Sequence, residues 1–190
     1  MIDMVVLCGK AASGKDSILK DIMIRESEFF HRNISLTTRP QRQGEIPGVD
    51  YDFISEEKMM ELLLNNQMLE VANFNNWFYG TSLESLSKDK VNISIYNPEG
   101  VEALLMNSQI NPLIFYIDVS DKIRILRYLN REENPNISEM IRRYGTDDKD
   151  FNDLLSSDIS LWSLRNEIIE DYEKNIEHII TTAKNYFRKI

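Results

Sequence analysis

One cysteine, two histidines, five prolines and seven glycines are all that 190 residues supply of these types. Cys8 alone cannot close an internal disulfide, and with His31 and His178 far apart no Cys/His pattern has zinc spacing. No motif points to a Ser-His-Asp enzyme. Positive charge is in deficit, since 22 Lys and Arg against 31 Asp and Glu leave a net charge of −9. That argues against generic duplex nucleic-acid binding, which needs a basic footprint, and against docking on an anionic membrane surface. No apolar run approaches the roughly 18 residues of a membrane span. Residues Met1–Cys8 carry no basic leader, and their apolar run is too short for a signal sequence. These absences predict a soluble cytoplasmic protein, monomer or homodimer, with no nucleic-acid partner and no membrane partner. What is present, 42% hydrophobic and 28% charged residues, suits one core with small inserted lobes and argues against wholesale disorder.

Met4-Val-Val-Leu-Cys8 is a continuous apolar run that ends in Gly9, the pattern of a strand buried on both faces. Ile18, Leu19, Ile22 and Met23 then repeat at helical spacing. The chain therefore opens as strand, glycine-rich loop and helix. Further strands are expected over 33–38, 49–54, 68–74, 76–81, 91–96, 113–119 and 158–165. Helices are expected from Ser55 as N-cap to about Asn65, from Pro98 as first helical residue, after Ser120, near Ser138, and over about 168–188. Residues 132–137 break the helix that follows Ser120. Strands alternating with helices predict an α/β fold with a central, mostly parallel sheet. The strand-rich stretch from about 35 to 90 reads as a lobe inserted into it.

Gly9-Lys10-Ala11-Ala12-Ser13-Gly14-Lys15 matches the first seven positions of G-x-x-x-x-G-K-[ST]. Glycines let backbone N–H groups turn inward around phosphate oxygens, the following helix offers its positive end, and Lys15 reaches the β- and γ-phosphates. The plain alternative is a glycine-rich turn with an incidental lysine. A buried strand before and a helix after favour nucleotide phosphate binding, with ATP as the expected ligand. Asp16 stands at the eighth position, where Ser or Thr would ligate Mg2+, and Ser17 follows. A carboxylate is itself a Mg2+ ligand, so Asp16 either replaces the hydroxyl or weakens the site by its charge. The first is favoured, and Ser17 can still donate to an α-phosphate.

The acceptor has to be read elsewhere. Arg39 and Arg42, three residues apart in an acidic chain, form a local cationic fork, and arginine suits planar contact with phosphate. Tyr51 can add a hydroxyl; taken alone, this stretch is as well read as a solvated loop. The pattern Ser35…Thr37-Thr38-Arg39-x-x-Arg42-x-Gly44-Glu45…Gly48-x-Asp50-Tyr51-x-Phe53 closely resembles the GMP-binding segment of guanylate kinases. Leu69-Glu70-x-Ala72…Phe78-Tyr79-Gly80-Thr81 resembles the second segment of the same lobe, and the order of phosphate loop, first segment and second segment agrees. The resemblance is strong from residue 4 to about 82 and looser beyond. It implies a three-layer P-loop kinase fold, with residues 1–34 and 82–190 as the core, a helical lid near 131–146, and 35–81 as an inserted nucleoside-monophosphate-binding lobe. It implies transfer of the ATP γ-phosphoryl to GMP or dGMP with Mg2+. Arg39, Arg42, Tyr51 and Tyr79 would hold the acceptor phosphate, and Ser35, Glu70 and Thr81 would read guanine. A carboxylate at Glu70 accepts from N1–H and the 2-amino group together, whereas adenine would leave it without paired donors.

The chain departs from the family where two aspartates usually follow the lobe, since Ile95 and Asn97 occupy those positions. With Asp16, this suggests a divergent branch of the kind phages carry, with a wider range of deoxynucleoside monophosphates as an alternative substrate set. The other reading is a guanylate-kinase-like module that has lost catalysis and binds protein ligands. Arg131, Arg142 and Arg143 are the expected lid arginines that close over the transferring group, while Arg124 and Arg127 read as ordinary helix-surface residues. Asn166-Glu167 resembles an Asn-Asp pair of the family. Cys8, Met59, Met60 and Trp162 read as packing, and His31 and His178 as incidental.

Overall fold

The computed structural model describes residues 1–42, 44–74, 76–131 and 134–187. Among them, five parallel strands form the central sheet, in the order β2 (Phe30–Arg32), β7 (Val91–Ile95), β1 (Ile2–Cys8), β8 (Ile110–Asp118) and β9 (Trp162–Arg165). The continuous apolar run of β1 follows from its central place. Side chains alternate across a strand, so Val5 and Leu7 enter one core while Met4, Val6 and Cys8 enter the other. The first core is closed by α1 (Lys15–Glu26) and α6 (Ile169–Phe187) through Ile18, Ile22, Ile176, Ile179 and Ala183. The second is closed by α3 (Pro98–Met106) and α5 (Ile137–Ser156) through Val101, Leu104, Phe151 and Leu154. A helical layer on each face of a parallel sheet is the α/β architecture expected of alternating elements. Between β8 and α5 runs α4 (Asp121–Arg131).

A second sheet has the order β4 (Asp52–Phe53), β3 (Leu36–Thr37), β6 (Trp77–Ser82) and β5 (Met68–Phe74). Only β3 and β4 pair in parallel there. Leu69 of β5 packs into the second core, which ties this sheet to the body of the molecule. Between β4 and β5 the chain forms α2 (Glu56–Leu64), where Ser55 Oγ accepts the Lys58 N–H at 3.2 Å, so the expected cap is in place.

Some boundaries differ from expectation. The strand expected over 33–38 is only the two-residue β3, and a separate β2 precedes it. Asn33 parts them because its side chain is buried and donates to the Ser85 carbonyl and to Asn92 Oδ1. The helix expected near Ser138 begins at Ile137 and is capped by Asn136, whose Oδ1 accepts the Glu139 N–H at 3.0 Å. The strand expected over 158–165 pairs with β8 only from Trp162. Met59 is core as expected, whereas Met60 faces solvent. Among the described residues, no helix is long and apolar enough to cross a membrane.

Candidate functional site

The loop from β1 to α1 is wound by its small residues. Ala12 has φ +61° and Gly14 φ +93°, left-handed positions that turn successive N–H groups to one side. A Cβ on Gly14 would come within 2.8 Å of Asn166 Nδ2, and one on Gly9 within 2.8 Å of the Ile117 carbonyl, so neither position has room for a side chain. Behind Gly14, Asn166 Nδ2 donates to the Ser13 carbonyl at 2.8 Å. The buried Ser13 Oγ has no hydrogen-bond partner among the described residues. The Cys8 thiol, just before the loop, is pushed up to about 12 by burial and keeps its proton.

Arg124 and Arg127 are not ordinary helix-surface residues, the first being buried and the second half-buried. Arg124 is 0% exposed. It donates through Nε to the Ala11 carbonyl at 2.9 Å and through its two terminal nitrogens to Asp121 and Asp147, each at 2.7 Å. Its guanidinium lies 4.1 Å from the centroid of the Tyr144 ring. Arg127 donates to the Ser13 carbonyl at 3.0 Å and the Asn166 carbonyl at 2.7 Å. Both arginines brace the phosphate loop from behind. Apart from Asp121 on the same helix, their partners lie far away along the chain, which helical spacing alone does not reveal. From α5, Asp147 also accepts the Ala11 N–H at 2.6 Å, and Asp148 pairs with Lys10 at 2.7 Å. Neither aspartate carries a sequence signal.

In front of the loop, Lys15 lines a cavity of about 270 Å³ together with Ser35, Arg42, Tyr51, Glu70 and Tyr79. Ile95, Tyr96, Asn97, Arg143, Asp147 and Asp150 are also among its lining residues. A second cavity of about 350 Å³ shares Lys15, Ser35, Arg42, Tyr51, Tyr79, Ile95 and Arg143, and adds Asp16, Arg39 and Arg131. A third, of about 640 Å³, lies beside the start of α1 and is lined by Gly14, Ser17, Arg127, Arg131, Asn166 and Tyr172. Asp16 lines both the second and third cavities. Its side chain is 85% exposed and lies 4.0 Å from Lys15 Nζ. Among the described residues no group of three His, Cys, Asp or Glu gathers to hold a metal by itself. An exposed hard carboxylate at the phosphate loop fits a Mg2+ ion that a nucleotide's phosphates already carry.

The cationic fork is built as a graded pair. Arg39 is buried and held by Glu45 through contacts of 2.8 and 3.0 Å, under the rings of Tyr51 and Phe53. The same Glu45 accepts the Arg42 N–H at 2.7 Å. Burial, then the neighbouring Arg39 and Arg143 charges, hold the Arg42 guanidinium below its ordinary pKa. Cations that repel one another across a cavity favour an anion between them. Tyr51 and Tyr79 stand edge to face at 5.9 Å.

Glu70 sits at the other end of the first cavity and is 9% exposed. Desolvation raises its carboxyl to about 7, and the hydroxyl and N–H of Thr81, its cross-strand partner, pull it back. Thr81 is fully buried and lines none of these three cavities. It lies opposite Glu70 across the β5–β6 pair, and its Oγ1 is 3.0 Å from the Tyr96 hydroxyl. Ser35 and Glu70 both line this cavity. Asn97 also reaches its wall, but Oδ1 is spent on the Gly100 N–H as the cap of α3.

Of the three arginines expected in a lid, Arg131 and Arg143 line cavities and Arg142 lines none of the three. Arg142 is turned to Glu139, at 2.7 and 2.9 Å, and its side chain is 40% exposed. Arg143 meets the same carboxylate at 2.8 Å, and the two arginines pull Glu139 down to about 2. Residues 132 and 133 of the expected lid lie outside the described residues.

Comparison with known proteins agrees with this geometry. A guanylate kinase from Bacillus cereus is 38% identical over 85 residues, 45% of this chain and 42% of that protein. One from Streptococcus mutans is 41% identical over 80 residues, 42% of this chain and 38% of its own length. The matched stretch thus spans about two fifths of these relatives. The crystal structure of guanylate kinase from Anaplasma phagocytophilum superposes with a TM-score of 0.66 at 18% identity, covering 97% of this chain and 86% of that one, which establishes the shared fold. The family model for guanylate kinase matches residues 1–183, nearly the whole chain, and on that match the chain belongs to the guanylate kinase family.

Proposed function

We propose that this chain transfers the γ-phosphoryl of ATP to GMP or dGMP, yielding ADP and GDP or dGDP. The observation that carries the reading is that Lys15 of the phosphate loop, Arg42 and the buried Glu70 line one cavity. A nucleotide on the loop and a guanine monophosphate in that cavity would bring their phosphates together over Lys15. The acceptor phosphate is held by Arg42 and Arg39 with the Tyr51 and Tyr79 hydroxyls. Glu70 accepts from guanine N1–H and the 2-amino group, and Ser35 donates to O6. The third cavity, beside Arg127 and Asn166, has room for the donor's base. Arg131 and Arg143 close from the lid near 131–146 while the lobe 35–81 closes from the other side, which excludes water and aligns the phosphates. Asp16 would hold a Mg2+ ion brought in on the phosphates, and that ion would supply charge neutralisation on the transferring group. No base is required, because the attacking phosphate oxygen is already anionic.

A wider range of deoxynucleoside monophosphates is the second reading, favoured by the apolar Ile95 in the cavity wall. A coupled ADP-release assay with Mg-ATP against ribo- and deoxyribonucleoside monophosphates of all bases separates the two. Turnover confined to GMP and dGMP supports the first reading, and turnover of several deoxynucleotides supports the second. A folded protein that turns over none of them and binds no ATP is a binding module, which would refute both.

A further inference from the structure

We propose that Asp147 sets how tightly the phosphate loop takes its donor: its carboxylate holds the Ala11 N–H as an internal anion, and the nucleotide's terminal phosphate competes with it for that place. The proposal rests on the phosphate-loop reading above and extends it to a residue of α5 that has no part in that reading. Asp147 Oδ2 accepts the Ala11 N–H at 2.6 Å and a terminal nitrogen of Arg124 at 2.7 Å. The buried Arg124 also donates to the Ala11 carbonyl at 2.9 Å, so it grips both the loop and the carboxylate set upon it. One residue further on, Asp148 pairs with Lys10 at 2.7 Å. Two successive loop residues are thus held by two successive aspartates of one helix. Ala11, Lys15 and Asp147 line the same cavity, where the reading above brings the phosphates together over Lys15. A loop of inward-turned N–H groups is built for an anion, and here the chain itself supplies one to Ala11. A bond from N–H to a carboxylate is charge-assisted and stronger than one to a neutral oxygen. A nucleotide therefore has to displace the carboxylate or bear its charge across the cavity. Its apparent affinity falls with the fraction of loops open to it. The terminal phosphate of ATP, presented to the acceptor in this cavity, is weakened most, and ADP, which lacks it, is weakened less. Once that phosphoryl group has moved to the acceptor, Asp147 can take back the Ala11 N–H.

The test is titration calorimetry of the full chain with Mg-ATP and with Mg-ADP, without an acceptor and at fixed ionic strength. It compares the wild type with Asp147→Asn, Asp147→Ser, Asp153→Asn and Lys15→Ala. Asparagine keeps the shape of Asp147 and an oxygen for the Ala11 N–H and Arg124, but it removes the charge. Asp147→Asn is expected to lower Kd for ATP about tenfold and Kd for ADP less than about threefold. Asp147→Ser, also uncharged and too short to hold both donors, is expected to tighten ATP in the same direction. It decides the matter should circular dichroism show that Asp147→Asn does not fold. Asp153 is exposed on the same helix and lines none of the three cavities. Asp153→Asn is therefore expected to leave Kd for ATP within about twofold, because an exposed charge is screened. An Asp147→Asn protein that binds ATP no more tightly than the wild type overturns the proposal, since a residue that only braces the loop gives that result. Equal tightening of ATP and ADP overturns it too, as does equal tightening by Asp153→Asn, which would be an effect of net charge. A wild type that binds no ATP, or a Lys15→Ala protein that binds it as well as the wild type, overturns the phosphate-loop reading and the proposal with it.

Discussion

Replacing Glu70 by Gln sets function against stability in a way that can be measured. Glu70 is buried at the cavity's end, and desolvation lifts its carboxyl from an ordinary 4.5 to about 7. In the unfolded chain the group ionises near its ordinary value, so between these limits the folded protein binds the extra proton. Stability therefore falls as pH rises from about 4.5 to 7 and is flat above. The span corresponds to roughly 3 kcal/mol. Glutamine has nearly the same shape and does not titrate, so Glu70→Gln escapes this loss. The gap in stability between variant and wild type should thus widen in the variant's favour by roughly 3 kcal/mol from about pH 4.5 to about pH 8. For a chain of this size that is a relative shift of roughly 6–12 °C in Tm. Thermal or urea denaturation of both proteins at half-unit steps measures it directly. The same change should raise KM for GMP by roughly a hundredfold or more, because the amide presents a donor where guanine also presents donors. In the wild type, KM for GMP should rise as pH drops below about 7, since guanine selects the carboxylate. A stability gap that stays constant across the pH range would refute the account of Glu70 as a desolvated, ionisable base reader.

Two further substitutions test the rest of the site. Lys15→Ala should abolish phosphoryl transfer while leaving the circular-dichroism spectrum and Tm nearly unchanged, since Lys15 faces a cavity rather than the core; near-normal turnover would remove the phosphate-loop assignment. Arg124→Met should destabilise the fold by roughly 3–5 kcal/mol in urea denaturation, because Asp147 is left largely buried without its partner. It should also raise KM for ATP more than KM for GMP, and a fully stable variant with unchanged KM for ATP would show that the brace behind the loop is inconsequential.

The parts of the molecule that were legible in the sequence are those set by neighbours close along the chain. The apolar run of β1, the glycine spacing of the phosphate loop, Ser55 as a cap, Pro98 at the first position of α3 and the full extent of β5 each depend on a few adjacent residues. The residues proposed for the acceptor stand out in the sequence because several short motifs keep their order and spacing. What could not be read depends on partners distant in sequence. Arg124 looked like a helix-surface charge until the fold brought the Ala11 carbonyl and Asp147 to it. Thr81, expected to read the base, is fully buried on β6 opposite Glu70, with its Oγ1 3.0 Å from the Tyr96 hydroxyl, a placement set by partners on other strands. Arg142 and Arg143 are adjacent in sequence, yet on a helix they point in different directions, so only Arg143 reaches a cavity wall while both share Glu139.

The central claim, transfer of a phosphoryl group from ATP to a guanine monophosphate, is tested most directly by following Mg-ATP and GMP with the protein by phosphorus NMR. The account predicts that GDP and ADP appear together in equal amounts, that the Lys15→Ala protein gives neither, and that AMP in place of GMP is a much poorer acceptor. Release of inorganic phosphate without GDP, or no change in the spectrum with a folded protein, would contradict it.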